Sequence, residues 1–201
     1  MHQPDWRVKN PLQNIFFELI LQFGGEVQIM DESEFKNLMA SVPAPVTVVT
    51  SVDRGAPVGA TVSSFASLSL EPKLVSIGLI EGSRILATLR TNRRFAINLL
   101  SHSQADLALQ FASREPDRFA QVNWVWHNGL PRLNGIASYL ECCIESDIQA
   151  GDHAMIFCRV LACQTHETPP LVYTARKFGT HSKLIADRTR SVSDAIEACS
   201  R

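Results

Sequence analysis

The sequence predicts a mainly β protein, a closed antiparallel barrel of short strands with a few short helices. Segments rich in Val, Ile and Thr recur along the chain, and turns containing Gly, Asp or Pro separate them. Only two or three segments have the periodicity of a helix, which is too few for a parallel sheet of alternating strands and helices. Because no repeat or linker divides the 201 residues, we expect one main domain around one core.

The first half of the chain is expected to contain a helix, a hairpin and then alternating strands and helices. The acidic segment 31–40 is expected to be helical. The Val- and Thr-rich segment 46–51, the turn Asp53-Arg54-Gly55 and the segment 58–64 together predict a β-hairpin. Four further elements follow in order: strand 73–80, helix 82–91, strand 95–100 and helix 104–111.

The second half is expected to contain longer strands. Residues 136–144 alternate in polarity, with the even-numbered side chains on one face and the odd-numbered ones on the other. This period of two predicts a strand that is buried on one face only. Gly151-Asp152 separates it from a long strand, 153–163, and Pro169-Pro170 separates that one from a last strand, 171–174.

Composition excludes several classes of function. The 19 basic and 20 acidic residues give a net charge of −1, without the basic excess of nucleic-acid-binding proteins. The apolar run 15–23 contains Glu18 and Gln22 and is shorter than the ~20 residues of a membrane span, so we expect neither membrane insertion nor export. The five cysteines include no Cys-x-x-Cys pair, which indicates reduced, buried thiols in a cytoplasmic protein and no metal site.

Both ends of the chain are expected to lie outside the barrel. Residues 1–29 would form an extension with a helix in it, because the barrel pattern begins only after this point. We assign the barrel domain to residues 30–186 and a polar, loosely held tail to residues 187–201.

Common nucleotide-binding and hydrolase motifs are missing from the sequence. It contains no Gly-x-Gly-x-x-Gly, no phosphate-binding P-loop and no Gly-x-Ser-x-Gly nucleophile turn. His166-Glu167 precedes Pro169-Pro170, which prevents the helix that a His-Glu-x-x-His zinc site requires. A cofactor would therefore have to bind to loops and strand edges.

The segment 61–72 combines five hydroxyl side chains with apolar residues just before a strand. One interpretation is a β-strand with a solvated Ser/Thr face. The other is a polar edge that holds an anionic ligand, because hydroxyls and free backbone N–H groups can bind a ring edge and a phosphate without a large charge. The residue pattern alone leaves both interpretations open.

Several short stretches between Phe35 and Phe178 share their order and spacing with one protein family. They are the hydroxyl-rich segment 61–72, Val42-Pro43-Ala44-Pro45-Val46-Thr47-Val48-Val49-Thr50, Phe95-Ala96-Ile97-Asn98-Leu99-Leu100, Phe111-Ala112, Asp117-Arg118-Phe119, Gly129-Leu130-Pro131 and Gly151-Asp152-His153. In these pieces the chain resembles the flavin reductase-like family, the FMN-binding split-barrel reductases that serve two-component monooxygenases.

The resemblance implies a split β-barrel of antiparallel, Greek-key type that binds FMN or FAD and NADH or NADPH in one cleft. Such a protein is an NAD(P)H:flavin oxidoreductase in which hydride passes to flavin N5. The reduced flavin then leaves to supply a flavin-dependent monooxygenase. A homodimer is expected. FMN and FAD remain alternatives, and the lack of a basic cluster for a 2′-phosphate slightly favours NADH.

Carried over residue by residue, the resemblance implies two groups of flavin-binding residues. Those expected to line the flavin ring are Thr61, Val62, Ser63 and Ser64. Those expected to hold the ribityl chain and the phosphate are Ser67, Leu68, Ser69, Ser83 and Arg84. The last two open a predicted helix, where free N–H groups can bind an anion.

His153, in the Gly-Asp-His motif, is the implied catalytic residue and would lie near the bound nicotinamide. Tyr173, Arg176 and Phe178 would approach the same site from the last strand and its turn. By itself, a histidine that opens a strand is an ordinary edge residue, although its imidazole could hydrogen-bond the nicotinamide or the pyrophosphate of the donor. It need not act as an acid or base, because hydride transfer mainly requires stacking and orientation.

Two positions depart from the family pattern. Pro45 stands where the family usually has glycine, and it lacks a backbone N–H that could contact a flavin. Phe178 replaces the more frequent tyrosine. Two other functions stay open: a flavin-binding carrier or sensor without reductase activity, and a structural barrel with a degraded pocket. Gly151-Asp152-His153 weighs against the carrier, because a carrier needs no nicotinamide site.

Overall fold

The structure of the protein is a computed structural model that describes residues 31–180. The expected extension 1–29 and the expected tail 187–201 lie outside the described residues. The described helices are α1 (Glu32–Ser41), α2 (Arg84–Asn92) and α3 (Ala105–Ala112). The described strands are β1 (Ala44–Pro45), β2 (Thr47–Asp53), β3 (Ala56–Val62), β4 (Ala66–Leu70), β5 (Lys73–Ile80), β6 (Arg94–Leu99), β7 (Trp124–His127), β8 (Leu130–Leu133), β9 (Ser138–Ala150), β10 (His153–Thr165), β11 (Val172–Thr174) and β12 (Lys177–Gly179).

Seven strands form one antiparallel sheet in the order β3-β2-β6-β9-β10-β5-β4. The sheet curls until β3 approaches β5, and both strands contribute side chains to one core with β9 and β10. The mainly β, antiparallel fold expected from the sequence is confirmed.

The sheet is not closed by hydrogen bonds, so the expectation of a closed barrel is wrong. β5 pairs with β10 along one edge, and β4 occupies the other edge over Lys73–Ser76. A seam therefore runs between β3 and β5. Within residues 31–180, the backbones of these two strands form no ladder.

A second layer covers the face of β2, β6 and β9 that points away from the first core. α3 and the β7–β8 hairpin pack there around Val48, Phe111 and Leu133. In β9, Tyr139 is 2% exposed and Cys142 is 0% exposed, although they point to opposite faces. The prediction that this strand is buried on one face only is therefore wrong for its first half. Alternating polarity within one strand cannot reveal that the preceding β7–β8 hairpin packs against its second face.

β1, β11 and β12 form a separate three-stranded antiparallel sheet. In this small sheet Pro45 stands opposite Val172. The helix α1 has no buried side chain, and its Lys36 pairs with Glu32 one turn earlier.

Two classes of feature are missing from the part of the chain that the structure describes. None of its helices is long and apolar enough to cross a membrane. None of its His, Cys, Asp and Glu side chains form a group of three or more that could hold a metal ion.

Candidate functional site

At the seam between β3 and β5, the side chain of Ser64, a predicted flavin-binding residue, contacts the backbone of Gly78. The hydroxyl of Ser64 donates to the carbonyl oxygen of Gly78 (3.0 Å) and accepts from its N–H (2.8 Å). A Cβ on Gly78 would lie 3.3 Å from Ser64 Oγ and 4.0 Å from His153 Cδ2. Glycine therefore permits a close approach of Ser64, Gly78 and His153, which we call the seam cluster.

The hydrogen bonds already made at the seam limit what its hydroxyls can offer a ligand. A hydroxyl has one donor and two acceptor positions. Ser64 uses its donor and one acceptor on Gly78. Thr61 uses its donor on the carbonyl oxygen of Ala108 in α3 (2.7 Å). While these bonds hold, both side chains can accept a hydrogen bond from a ligand N–H but cannot donate one.

His153 is held by its neighbour at the start of β10. The turn before it places Gly151 at a φ of 64°, in the left-handed region that favours glycine. His153 Nδ1 lies 2.8 Å from Asp152 Oδ1, and this bond lowers the pKa of Asp152. Because a carboxylate only accepts, Nδ1 carries the proton and Nε2 is left for a ligand. The imidazole is 43% exposed, so a ligand can reach it.

A cleft of about 400 Å³ lies farther along the same two segments. We call it the arginine cleft. Its walls are residues 57–60 of β3, residues 83–85 at the start of α2, and the loop 114–119. Ser64 approaches Gly78 while residues 57–60 face the start of α2, so β3 runs antiparallel to the β5–α2 segment. The seam cluster and the arginine cleft therefore stand at successive positions along one seam.

The donor groups of the arginine cleft suit an anion such as a phosphate. Ser83 is the N-cap of α2 and accepts from the N–H of Leu86 (3.4 Å), which leaves its own proton without a partner among the described residues. Arg84 pairs with Asp53 (2.8 Å), and Arg118 donates to the carbonyl oxygen of Gly59 (3.1 Å). Arginine side chains and a helix N-terminus are groups that bind phosphate well.

The loop 114–119 also brings negative charge to this cleft. Glu115 and Asp117 line it beside Arg114 and Arg118. Asp117 is engaged, because it accepts from the backbone N–H of Phe119 (3.0 Å). Arg114 is exposed and forms no hydrogen bond or ion pair with another described residue, so its guanidinium is the one most ready to turn toward a ligand.

The structure places the remaining hydroxyl-rich residues apart from the arginine cleft. Val62 is 5% exposed, and its side chain belongs to the first core. Ser63 is exposed just beyond β3. Ser67, Leu68 and Ser69 lie on β4 at the edge of the sheet, where Ser69 accepts from the N–H of Glu71 (3.2 Å). These β4 residues do not line the cleft with Ser83 and Arg84.

The last three predicted site residues lie in the small sheet. Tyr173 and Phe178 are paired across β11 and β12, with ring centroids 5.2 Å apart, and they pack against the second core layer. Arg176 lies in the turn between them at a φ of 58°. The contacts described for Tyr173 and Phe178 do not reach the seam cluster, and the role of all three residues in the site stays a prediction.

Sequence reasoning missed Gly78 and gave no role to the arginines of the loop 114–119. A signal existed for Gly78, because a glycine between Ile77 and Leu79 inside a strand often marks a close approach by other atoms. A weaker signal existed for the loop, whose charged residues surround a proline after an apolar helix. Neither signal alone says which other segment lies opposite.

Comparisons with known proteins identify relatives over most of the described chain. The family model described as "Flavin reductase like domain" matches residues 39–182. The "Probable flavin reductase" of Rhizobium meliloti (strain 1021) is 38% identical over 172 residues, which are 85% of this chain and 54% of that protein. The "Flavin-dependent monooxygenase, reductase subunit HsaB" of Rhodococcus jostii (strain RHA1) is 34% identical over 76% of this chain and 80% of that protein.

A solved structure with bound ligands has the same fold. It is the NADH:FAD oxidoreductase SgcE6 of Streptomyces globisporus C-1027, in complex with NAD and FAD fragments. The TM-score is 0.71 at 29% sequence identity, covering 74% of this chain and 91% of that one. This chain thus spans nearly all of the solved structure but only about half the length of the Rhizobium meliloti protein.

Proposed function

Because this chain belongs to the flavin reductase-like family, we propose that it is an NAD(P)H:flavin oxidoreductase that reduces FMN or FAD. The reduced flavin then leaves to supply a monooxygenase, the role printed in the name of the Rhodococcus jostii relative. The observation that carries the proposal is the seam, along which the cluster Ser64, Gly78 and His153 is followed by the arginine cleft. A flavin has the matching polarity, with a polar ring at one end and phosphate at the other.

The flavin ring lies against the seam cluster, and its phosphate enters the arginine cleft. Ser64 or Thr61 accepts from N3–H, the one N–H of the oxidised ring, since the protons of both hydroxyls are already donated within the protein. Ser83, Arg84 and Arg114 hold the phosphate. When bound, the flavin supplies the redox chemistry by accepting at N5 the hydride of the nicotinamide.

His153 orients the donor. Its Nδ1 is committed to Asp152, so Nε2 accepts from the carboxamide N–H of the nicotinamide or, when the imidazole is protonated, donates to the pyrophosphate. The protein contributes mainly by holding two rings in contact, and this requires no proton transfer from His153. The solved relative with NAD and FAD fragments supports the pair NADH and FAD as the first to be tested.

We also propose that the protein is a homodimer that covers β4. This edge strand exposes 48% of Leu68 and 87% of Leu70, and its outer backbone groups pair with no described strand. Exposed apolar edge strands invite pairing with another chain. Sedimentation of the wild-type protein and of Leu70→Lys tests this, because the substitution should shift a dimer toward monomer. A wild-type monomer at micromolar concentration would contradict it.

Steady-state turnover with the four donor–flavin pairs tests the proposed function. Purified protein should oxidise NADH or NADPH in the presence of added FMN or FAD, faster than the mixture without protein. Flavin binding without donor oxidation would instead support a carrier or sensor. Absence of both would support a structural barrel.

The role of His153 has its own test. His153→Ala should raise KM for the donor by roughly three- to tenfold, the effect of one lost hydrogen bond, with a smaller change in KM for the flavin. His102→Ala is the matched control, because His102 is exposed and lies outside the site. Wild-type values of both constants in His153→Ala would contradict the assigned role.

A further inference from the structure

Arg90 on α2 joins two parts of the fold that carry the proposed site. Its guanidinium donates to both oxygens of Glu81 (3.1 and 2.9 Å) and to both oxygens of Asp147 (2.6 and 3.1 Å). The three side chains are 42%, 32% and 24% exposed, so the pairing lies at the surface but is not fully solvated. Two bidentate contacts from one guanidinium fix its orientation more firmly than a single ion pair does.

The two carboxylates belong to segments that end at the site. Glu81 lies in the tight turn from β5 into α2, and that turn ends at Ser83, the helix N-cap in the arginine cleft. Asp147 lies on β9, close to the hairpin turn that presents His153.

A backbone hydrogen bond connects the same two turns directly. The N–H of Glu81 donates to the carbonyl oxygen of Asp152 (3.0 Å). Asp152 is the residue that holds the imidazole of His153. These contacts form a closed ring. It runs from Arg90 to Glu81, from Glu81 to Asp152, and back through the β9–β10 hairpin to Asp147, which contacts Arg90.

We infer that Arg90 is a positioning residue that fixes the β5–α2 turn against the β9–β10 hairpin turn. By doing so it sets the place of His153 relative to Ser83 without touching a ligand. Lysine cannot replace it, because an ammonium is a point charge and lacks the planar fork that reaches two carboxylates at once. The effect on turnover rests on the function proposed above, whereas the effect on the two turns does not.

The chain offers a closely matched control. Arg159 donates to both oxygens of Glu145 (2.8 and 2.7 Å), and these side chains are 43% and 38% exposed. This pair lies on the same hairpin, but it joins only β9 to β10. Arg159→Gln therefore removes a bidentate surface ion pair of the same kind without loosening the β5–α2 turn.

The first measurement is hydrogen–deuterium exchange at the amide of Glu81, followed by NMR in the protein without ligands. Arg90→Gln should speed this exchange by roughly two- to fivefold, the effect of losing exposed ion pairs. Arg90→Lys should also speed it, and Arg159→Gln should leave it unchanged. An unchanged rate in Arg90→Gln would overturn the inference, whatever the activity of the protein.

The second measurement is KM for the nicotinamide donor in a double-mutant cycle. Arg90→Gln should raise this KM, and it should add little in a His153→Ala background, because both changes act through the imidazole. If the two substitutions had fully additive effects on the logarithm of KM, the inference that Arg90 acts through His153 would be overturned. If His153→Ala alone leaves KM unchanged, the role proposed for His153 fails, and the exchange experiment alone decides whether Arg90 fixes the two turns.

Discussion

Replacing Ser64 by alanine should loosen the seam between β3 and β5. Its hydroxyl makes the two side-chain hydrogen bonds that join the end of β3 to Gly78, one as donor and one as acceptor. In Ser64→Ala both polar groups of Gly78 lose this partner. They can still reach water, because Ser64 is exposed.

The expected cost follows from this exposure. A hydrogen bond between neutral groups contributes about 0.5–1.5 kcal/mol, and partial replacement by water places both bonds at the low end of that range. The free energy of unfolding should therefore fall by about 1 kcal/mol. For a protein of this size that corresponds to a fall in Tm of roughly 2–4 °C. The proposed flavin contact is lost as well, so Kd for flavin should rise by roughly fivefold.

Urea denaturation followed by circular dichroism measures the first effect, and quenching of flavin fluorescence measures the second. Ser146→Ala is the control, because Ser146 is an exposed serine of β9 that forms no hydrogen bond with a described side chain. If Ser64→Ala matched Ser146→Ala in stability, the bonds to Gly78 would not hold the seam. If stability fell but flavin affinity stayed the same, the ring would not lie at Ser64.

Three further predictions concern groups outside the seam. Tyr139→Phe should leave stability unchanged or raise it by about 1 kcal/mol in thermal unfolding, because the buried hydroxyl, whose pKa burial raises to about 12, has no partner within the described chain. Cys142 and Cys158 should resist thiol reagents at pH 8 until the protein unfolds. The reason is that burial raises the pKa of both thiols, that of Cys158 to about 12. Rapid labelling of either thiol in the native state would refute this. Arg90 lowers the pKa of both its carboxylate partners, Glu81 and Asp147. Both carboxylates therefore stabilise the folded state above their ordinary pKa and stop doing so once acid protonates them. The difference in the free energy of unfolding between wild type and Arg90→Gln, measured by urea titration, should shrink below about pH 4.

Several local elements of the fold could be predicted from the sequence with small errors at their ends, whereas β9 runs to Ala150, well beyond the predicted segment 136–144. The β2–β3 hairpin follows from the turn Asp53-Arg54-Gly55, and the structure has it at Thr47–Asp53 and Ala56–Val62. The strand from His153 begins at the predicted residue and runs two residues longer, to Thr165. Such elements depend on neighbours in the chain, and turn residues and side-chain periodicity report them directly.

Long-range arrangement could not be predicted in the same way. β4 takes the edge of β5 that a closed barrel would have offered to β3, and no local pattern records that competition. The second face of β9 is covered by α3, which lies well before it in the chain, and by the β7–β8 hairpin that directly precedes it. Both errors arise because periodicity describes one strand at a time, whereas burial depends on what packs against it.

In the candidate site, too, the sequence indicated some residues well, whereas the position of others depends on how the strands are arranged. Ser64, Ser83, Arg84 and His153 come from the family resemblance, and all four lie on the seam or in the cleft beside it. The β4 serines were carried over with them as one polar segment. These serines lie on β4, the edge strand of the sheet, and their role in flavin binding stays a prediction.

The central claim is that this seam holds a flavin and a nicotinamide in contact so that hydride passes directly between them. Anaerobic mixing of the protein with FAD and NADH, followed through the visible absorption of the flavin, tests it most directly. The account predicts bleaching well above the rate without protein, and slower bleaching when the transferred position of NADH carries deuterium. Bleaching no faster than in the protein-free mixture would contradict it.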